Sequence, residues 1–289
     1  MMDDFSFNKL FSISKDAVLI FFENINVFYL GIISVLITSL TFILHYYNIK
    51  IPTTVKKEYI THLTKILISH ANEAAIIGLV LFILLLLSIF LNSFSSTALI
   101  NYILNSQKKE SFTEVWNGGK EKWKEYIIYY FVYYIIVIAV SVVFLILFSI
   151  ILSSIPVLNI FIAFVFLFAF IVVFALSFIG VRLIIDKNTD IIDSIRITYK
   201  SFWNNKFGYF RLISFYFLVF IILSLIFVSA IDFLIVNVSL SLISHNLFIG
   251  ITAEVVGFVI ALYISAFLSV FSSVYWTKGY ILLRDLKIL

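Results

Sequence analysis

The sequence predicts an all-α integral membrane protein in which six transmembrane helices form three hairpins. Apolar residues make up 63% of the chain and charged residues only 12%, about half the charged share of an ordinary soluble domain. No Asp, Glu, Lys or Arg occurs from Tyr126 to Val181. That run is at least twice the ~20 residues needed to cross the hydrocarbon core. With Pro156 near its middle, it predicts two helices joined by a tight turn.

Hydropathy extends this pattern over the whole chain, 1–289, as a single six-helix domain. The predicted helices lie at about 26–46, 75–104, 126–153, 157–181, 209–236 and 251–277. An even number of helices places both termini on the same side of the membrane.

The distribution of Lys and Arg predicts which side that is. Sixteen of these residues fall in the terminal segments and in the 105–125 and 182–211 loops, and four fall in the 47–73 loop. Basic residues are enriched in cytoplasmic loops, so both termini are predicted to be cytoplasmic and the protein to be a multi-pass protein of the cell membrane.

An internal repeat is a second feature of the chain. Three units, about 5–104, 111–186 and 189–289, each place an aromatic amphipathic segment before an odd-numbered helix. The favoured interpretation is a cytoplasmic surface helix followed by a membrane hairpin, three times over. The alternative is chance similarity among Phe, Ile and Ser in a biased composition.

The second amphipathic segment has the clearest helix signals. Ser111 and Glu114 fit a capping box. Trp116 and Trp123 lie on one stripe of the helix that follows, where they are predicted to anchor it at the membrane interface.

The third amphipathic segment follows Asp190, a predicted N-cap, and has Asp193 in its first turn. Ile192, Tyr199 and Trp203 recur at helical spacing, while Arg196 and Lys200 take another side. Such a helix is typical of the plane of a membrane surface, with Tyr199 and Trp203 as interfacial anchors.

Five basic residues of this region are candidates for binding an anionic lipid headgroup. They are Arg182, Arg196, Lys200, Lys206 and Arg211. Asp186, one helical turn after Arg182, is the predicted partner of that arginine. The alternative is a solvated loop whose charges only set the orientation of the protein.

Asp232 and Glu254 are the candidate acid pair, because both lie in apolar runs on neighbouring helices. A carboxylate in the middle of the bilayer would point to a proton or cation path. At 1.5 Å per residue, however, each acid lies roughly 35 Å from the inner end of its helix. That distance exceeds the ~30 Å hydrocarbon core, which favours the outer interface for both.

Other polar residues give weaker predictions. The four histidines include His45, His62 and His70 on the outer side, in no established zinc spacing, so no metal site is predicted. Small polar stripes that include Ser93 on helix two and Ser269 on helix six favour close helix packing, with a solvated substrate path as the alternative.

Motifs of enzymes and of nucleotide-binding proteins are missing from the sequence. It contains no HExxH, GxSxG, P-loop or dinucleotide fingerprint, and no cysteine. We therefore expect no catalytic residues, no cofactor and no nucleic-acid partner.

A set of residues around the 182–211 segment and near the C-terminus carries a family resemblance. The set is Arg182 and Asp186 after helix four, Thr198 and Tyr199 in the surface helix with Ser194 in place of the family's Ala, Asn205 and Phe207 before helix five, and Tyr280 and Arg284 at the end. It resembles a family of poorly characterised six-helix membrane proteins of bacteria and archaea. Relatives include the membrane domain fused to some glycerophosphodiester phosphodiesterases. The resemblance implies the fold and no activity, since the catalytic barrel of those enzymes is a separate domain.

The first functional hypothesis is a non-enzymatic multi-pass membrane protein that binds lipid, or organises the membrane, through a basic and aromatic cytoplasmic surface. Membrane lipids are its predicted partners. A transporter or permease for a small or amphiphilic substrate is the second hypothesis, and an accessory subunit of a membrane complex is the third. The sequence does not distinguish a protein partner from a homo-oligomer.

Overall fold

The structure, a computed structural model, describes residues 5–35, 71–105, 111–152, 156–232 and 247–289. Over these ranges the chain is almost entirely helical and contains no strand. The helices are α1 (Phe7–Glu23), α2 (Ile25–Val35), α3 (Ala71–Leu104), α4 (Phe112–Leu152), α5 (Pro156–Lys187), α6 (Ile191–Asn204), α7 (Lys206–Asp232) and α8 (Leu247–Asp285). The predicted all-α class is confirmed.

Five of these helices, α3, α4, α5, α7 and α8, are long and apolar enough to cross a membrane. A sixth span is obtained if α1 and α2, which meet at a bend of 94°, are counted as one. The protein is therefore a polytopic helical membrane protein. Of the predicted first helix, 26–46, only residues up to 35 lie within the described part of the chain.

Helix α4 differs from its prediction in one respect. The second amphipathic segment and the third transmembrane helix form a single continuous helix, which contains no Pro and passes through Gly118 and Gly119 without a break. The predicted capping box is confirmed. The Ser111 backbone N–H donates to Glu114 Oε2 at 2.8 Å, and the Glu114 N–H donates to Ser111 Oγ at 3.4 Å.

Helix α5 extends six residues beyond its predicted end at 181, to Lys187. It ends at Asn188, whose φ of 54° lies in the left-handed region and whose N–H donates to the Ile184 carbonyl at 3.0 Å. Asn tolerates this conformation and commonly ends a helix in this way. Arg182 and Asp186 consequently belong to the last two turns of a helix and not to a loop.

The protein-facing side of α6 is small and hydroxylated. Ser194, Thr198 and Ser201 are buried, and Ser194 Oγ donates to the Gly180 carbonyl of α5 at 2.6 Å. A Cβ on Gly180 would overlap the Tyr129 hydroxyl and would lie 3.3 Å from Ser194 Oγ. Small residues on both helices therefore permit the close approach.

The opposite edge of α6 is apolar and exposed, since Ile192, Tyr199 and Trp203 are 71%, 55% and 49% accessible. Asp190 starts the helix as predicted, with extended backbone, but its side chain makes no capping hydrogen bond. Asp193 lies in the first turn, as predicted.

Two compact units make up the described chain. Unit 1 comprises Met1–Val27, Ser96–Leu223 and Val270–Leu289, and unit 2 comprises Phe28–Ser95 and Ser224–Ser269. Their boundaries do not coincide with the three sequence repeats, so the repeat stays a prediction.

The core of unit 1 joins α3, α4 and α5 through Ile100, Tyr129, Val181, Ile184 and Ile185. The last turns of α8 are also buried here. The Trp276 ring stacks on the Phe178 ring of α5, with centroids 5.5 Å apart and an interplanar angle of 8°. This unit contains every predicted headgroup residue and interfacial anchor.

Unit 2 has small serines at its helix contacts. Ser95 Oγ donates to the Leu30 carbonyl at 2.6 Å, and the Ser34 and Ser269 hydroxyls share a hydrogen bond of 3.0 Å. Ala261 and Ile264 of α8 form its described apolar cluster, against which Phe227 packs. The polar stripe of α8 thus takes part in helix packing at Ser269.

Candidate functional site

Asn205 makes the turn between α6 and α7. Its backbone N–H donates to the Ser201 and Phe202 carbonyls, both at 3.1 Å, and so ends α6. Its side-chain Oδ1 accepts from the Gly208 N–H at 3.3 Å, in the third position of α7, and so begins the next helix. One residue therefore fixes the angle at which two helices leave the same point.

A cavity of about 340 Å³ lies at this junction in unit 1. It is lined by Phe5, Trp203, Asn204, Asn205, Lys206, Phe207, Gly208 and Arg211. Phe5 is only 3% exposed and forms one wall. A Cβ on Gly208 would lie 2.7 Å from a ring carbon of Phe5, so glycine is required for this close contact.

The cavity has a positive character. Lys206 and Arg211 supply two cations, and none of the lining residues is acidic. Lys206 Nζ lies 4.5 Å from the centre of the Trp203 ring, a cation–π distance. The positive end of the α7 dipole adds to the same field.

Asn205, one of the lining residues, also carries an unused hydrogen-bond donor. Because Oδ1 of Asn205 is committed to the Gly208 N–H, its Nδ2 is the free end of the amide. Nδ2 is buried and has no acceptor in the described part of the chain. Two cations and a free N–H donor together suit an oxyanion such as a phosphate or carboxylate group.

The structure thus brings together three residues predicted from the sequence, the anchor Trp203 and the cations Lys206 and Arg211. The two predicted headgroup cations of α6, Arg196 and Lys200, lie outside the cavity lining. Arg196 is exposed and pairs with Asp193 at 3.1 Å, and Lys200 is exposed on the same helix. Both therefore belong to the outer surface of α6.

Arg182 is buried inside unit 1, with 1% of its surface exposed. Its Nε donates to Thr277 Oγ1 at 3.0 Å, and its Nη2 donates to the Ser273 carbonyl, also at 3.0 Å. Its Nη1 donates to the Phe178 carbonyl at 2.7 Å, and the Phe178 ring lies 5.6 Å from Cζ. Neutral oxygens and a ring, in place of a carboxylate, surround this cation.

This placement corrects both sequence interpretations of Arg182, which put it at a surface. The continuation of α5 to Lys187 carries the side chain into the packed interior beside α8. Thr277 and Ser273 lie 95 and 91 residues further along the chain, and no local signal marks them as partners.

The predicted pair between Arg182 and Asp186 is also wrong. Asp186 Oδ2 accepts from the Tyr280 hydroxyl at 2.7 Å and from Arg284 Nη1 at 3.1 Å. Helix α8 presents these two donors to Asp186 near the partly exposed end of the bundle, where an ion pair loses less hydration.

The other predicted anchors flank the site or lie on α4. The Tyr199 and Trp203 rings pack edge to face with centroids 5.9 Å apart, which extends the aromatic edge of α6 to the cavity. Trp116 and Trp123 are half-buried on α4. Trp116 stacks on Phe112, and Lys124 Nζ lies 5.8 Å from the Trp123 ring.

The acid pair receives no test from the structure. Asp232 is the last residue of α7 and Glu254 lies in α8, but both side chains are outside the described residues. His45, His62 and His70 lie outside them as well. Among the described residues, no group of three or more His, Asp or Glu side chains is placed to hold a metal ion.

Comparison of the chain with known protein families, with characterised proteins and with solved structures gave no match.

Proposed function

We propose that this chain is a multi-pass membrane protein that binds an anionic lipid headgroup in the cavity at the α6–α7 junction. The observation that carries the proposal is that Lys206, Arg211 and Asn205 line one cavity, and that Asn205 has a buried amide donor without an acceptor in the described part of the chain. Charge-assisted hydrogen bonds to a phosphate are stronger than neutral ones, typically about 1.5–3 kcal/mol each. The proposed role involves no catalytic step.

A lipid, and not a soluble anion, is the proposed ligand because of what surrounds the cations. Trp203 and Phe207 lie beside the two cations and are 49% and 73% exposed. Phe207 belongs to the first turn of α7, which is long and apolar enough to span a membrane. Aromatic side chains next to basic ones are favoured at the headgroup level of a bilayer. We place this surface at the cytoplasmic leaflet of the cell membrane, on the basis of the Lys and Arg distribution.

The test compares two double variants that remove the same charge. Lys206→Gln with Arg211→Gln changes the cavity, whereas Arg196→Gln with Lys200→Gln changes only the outer surface of α6. Binding of phosphatidylglycerol to the purified protein in neutral detergent would be titrated by native mass spectrometry. We expect the cavity variant to weaken one stoichiometric site by about tenfold or more. The control should change affinity by no more than about twofold, because Arg196 and Lys200 do not line the cavity.

Equal weakening in both variants would contradict the proposal, since it would mean that diffuse surface charge attracts the lipid. No weakening in either variant would contradict it too. A further arm adds inorganic phosphate at millimolar concentration. Displacement of the lipid by phosphate would identify a soluble anion as the ligand of the cavity, and retention of the lipid supports the proposal.

A further inference from the structure

A second cavity in unit 1, of about 210 Å³, lies between α5 and α7. Its lining is apolar except for one hydroxyl, Ser214. Phe168 of α5 and Phe210 of α7 contact each other at its edge, with ring centroids 6.0 Å apart. Ser214 lies one turn after Phe210 and is followed by Phe217, so a small residue between large ones leaves the space open. We call this space the α5–α7 groove.

The groove continues the surface of the headgroup cavity. Phe207 and Arg211 line the cavity, and Phe210 and Ser214, three residues further along α7 in each case, line the groove. Residues three and four apart on a helix lie on one face. The two spaces therefore follow one another along the same side of α7.

The α7 wall of the groove is about as long as one leaflet is thick, and the α5 wall, from Phe168 to Val172, rises by about 6 Å. From Phe210 to Ile221 the helix rises by about 16 Å, at 1.5 Å per residue. Half of the ~30 Å hydrocarbon core is about 15 Å. An extended chain that begins beside Arg211 and follows α7 to Ile221 would therefore cover about the thickness of one leaflet.

We infer that the α5–α7 groove holds one acyl chain of the anionic phospholipid whose headgroup occupies the cavity. The inference rests on the proposed function and extends it, because it names a membrane phospholipid with a full-length chain as the ligand. The two cations fix the headgroup, and the apolar groove one turn deeper gives the attached chain a place distinct from bulk lipid. Charge at one end and apolar lining at the other match the two ends of such a lipid.

The experiment uses phosphatidylglycerol that carries a photoactivatable diazirine near the middle of one acyl chain. The probe is mixed with the full-length protein in neutral detergent and an excess of phosphatidylcholine. After illumination, crosslinked peptides are mapped by mass spectrometry. We expect crosslinks to concentrate in the segments 168–172 and 210–221.

Three variants separate this inference from the proposed function. Ser214→Phe fills the groove and should lower crosslinking there by about tenfold, the effect of losing a few buried CH₂ groups. It should leave the headgroup competition between phosphatidylglycerol and phosphatidylcholine unchanged. Ile222→Phe adds bulk at an exposed position of α7 that does not lie three or four residues from any groove residue, and it should have no effect. Lys206→Gln with Arg211→Gln should abolish the preferred crosslinks.

Each contrary result has one meaning. Crosslinks spread evenly over the helices, while the cavity variant still weakens headgroup binding, would overturn the acyl-chain site and leave the proposed function intact. Crosslinks that stay in the groove in the cavity variant would overturn the link between the groove and the headgroup. If neither phosphatidylglycerol nor its competitor is preferred by the unmodified protein, the proposed function itself fails.

Discussion

The guanidinium of Arg182 donates hydrogen bonds to three neutral oxygens, and each of these oxygens has another hydrogen bond besides the one from Arg182. The Phe178 carbonyl belongs to the interior of α5, where it also accepts a backbone hydrogen bond. The Ser273 carbonyl accepts from Thr277 Oγ1 at 2.7 Å as well as from Arg182. Removing the arginine leaves these acceptors satisfied, whereas removing the Thr277 hydroxyl leaves a buried N–H donor without its acceptor.

This asymmetry predicts opposite behaviour of two variants. Arg182→Met should change the free energy of unfolding by less than about 1 kcal/mol or should increase it, because the desolvated charge is gone. Thr277→Val should lower it by about 1–3 kcal/mol, the typical effect of an unsatisfied buried donor. The double variant should behave like Arg182→Met alone. Thermal unfolding in detergent, followed by circular dichroism, measures all three.

A larger loss of stability in Arg182→Met than in Thr277→Val would refute this account. It would mean that the cation itself stabilises the fold, through a partner other than the three oxygens.

Contacts within one helix were easier to predict from the sequence than contacts between helices. The capping box of Ser111 and Glu114 was predictable because its two residues lie three apart, and the burial of Arg182 was not, because its partners lie on another helix.

At the scale of the helix, α6 shows which side of a surface segment meets the protein. Its hydrophobic periodicity identifies a helix and its exposed edge, with Tyr199 and Trp203 on it. Periodicity does not identify the packing side, because apolar side chains at a membrane surface can face lipid. The packing side consists of Ser194, Thr198 and Ser201, which a soluble protein would be expected to expose.

The close approach at Gly180 yields a prediction for this contact. Gly180→Ala should destabilise the protein by about 1–3 kcal/mol, because the new methyl group overlaps the Tyr129 hydroxyl. This sign is opposite to the gain of up to ~1 kcal/mol that the same change gives in an open helix. Removing that hydroxyl with Tyr129→Phe should recover part of the loss. Thermal unfolding of the single and double variants gives the coupling.

A control for this prediction is Gly118→Ala on α4. There the three atoms nearest to the added Cβ all belong to the side chain of Asn101, whose amide can rotate away. Its stability should be unchanged or slightly raised. If Gly180→Ala is tolerated equally well, the contact between α5 and its neighbours is looser than the packing described above.

At the scale of the whole molecule, composition and charge segregation were sufficient to predict a polytopic helical protein. They predicted the helices approximately, but not the six extra residues of α5 or the continuity of α4. Both differences arise where a surface segment joins a span without a Pro, so hydropathy changes while the backbone stays helical. Of the cavity lining, the sequence singled out Trp203 as an interfacial anchor and Lys206 and Arg211 as headgroup cations, and it did not predict that they share a cavity. Its wall from Phe5 is a contact across about 200 residues that no local pattern records.

The predicted orientation can be tested on the intact molecule. The chain has no cysteine, so a single introduced thiol labels one position without background. We expect Lys200→Cys on α6 and Lys287→Cys near the C-terminus to react with a membrane-impermeant maleimide only after cells are permeabilised. Lys57→Cys, in the 47–73 segment, should react in intact cells. Labelling of position 200 and protection of position 57 in intact cells would reverse the assignment.

The long separation between Arg182 and its partners also bears on how the protein is made. The chain emerges from its N-terminus, so α5 is synthesised about 90 residues before Ser273 and Thr277 exist. During that interval the guanidinium has no interhelical acceptor, and its long side chain keeps the charge in the interfacial water near the end of α5. Asp186 likewise waits for Arg284, 98 residues later. Assembly of unit 1 is therefore completed only when the last helix is inserted, and a chain that stops before α8 lacks the described α8 partners of both charged groups.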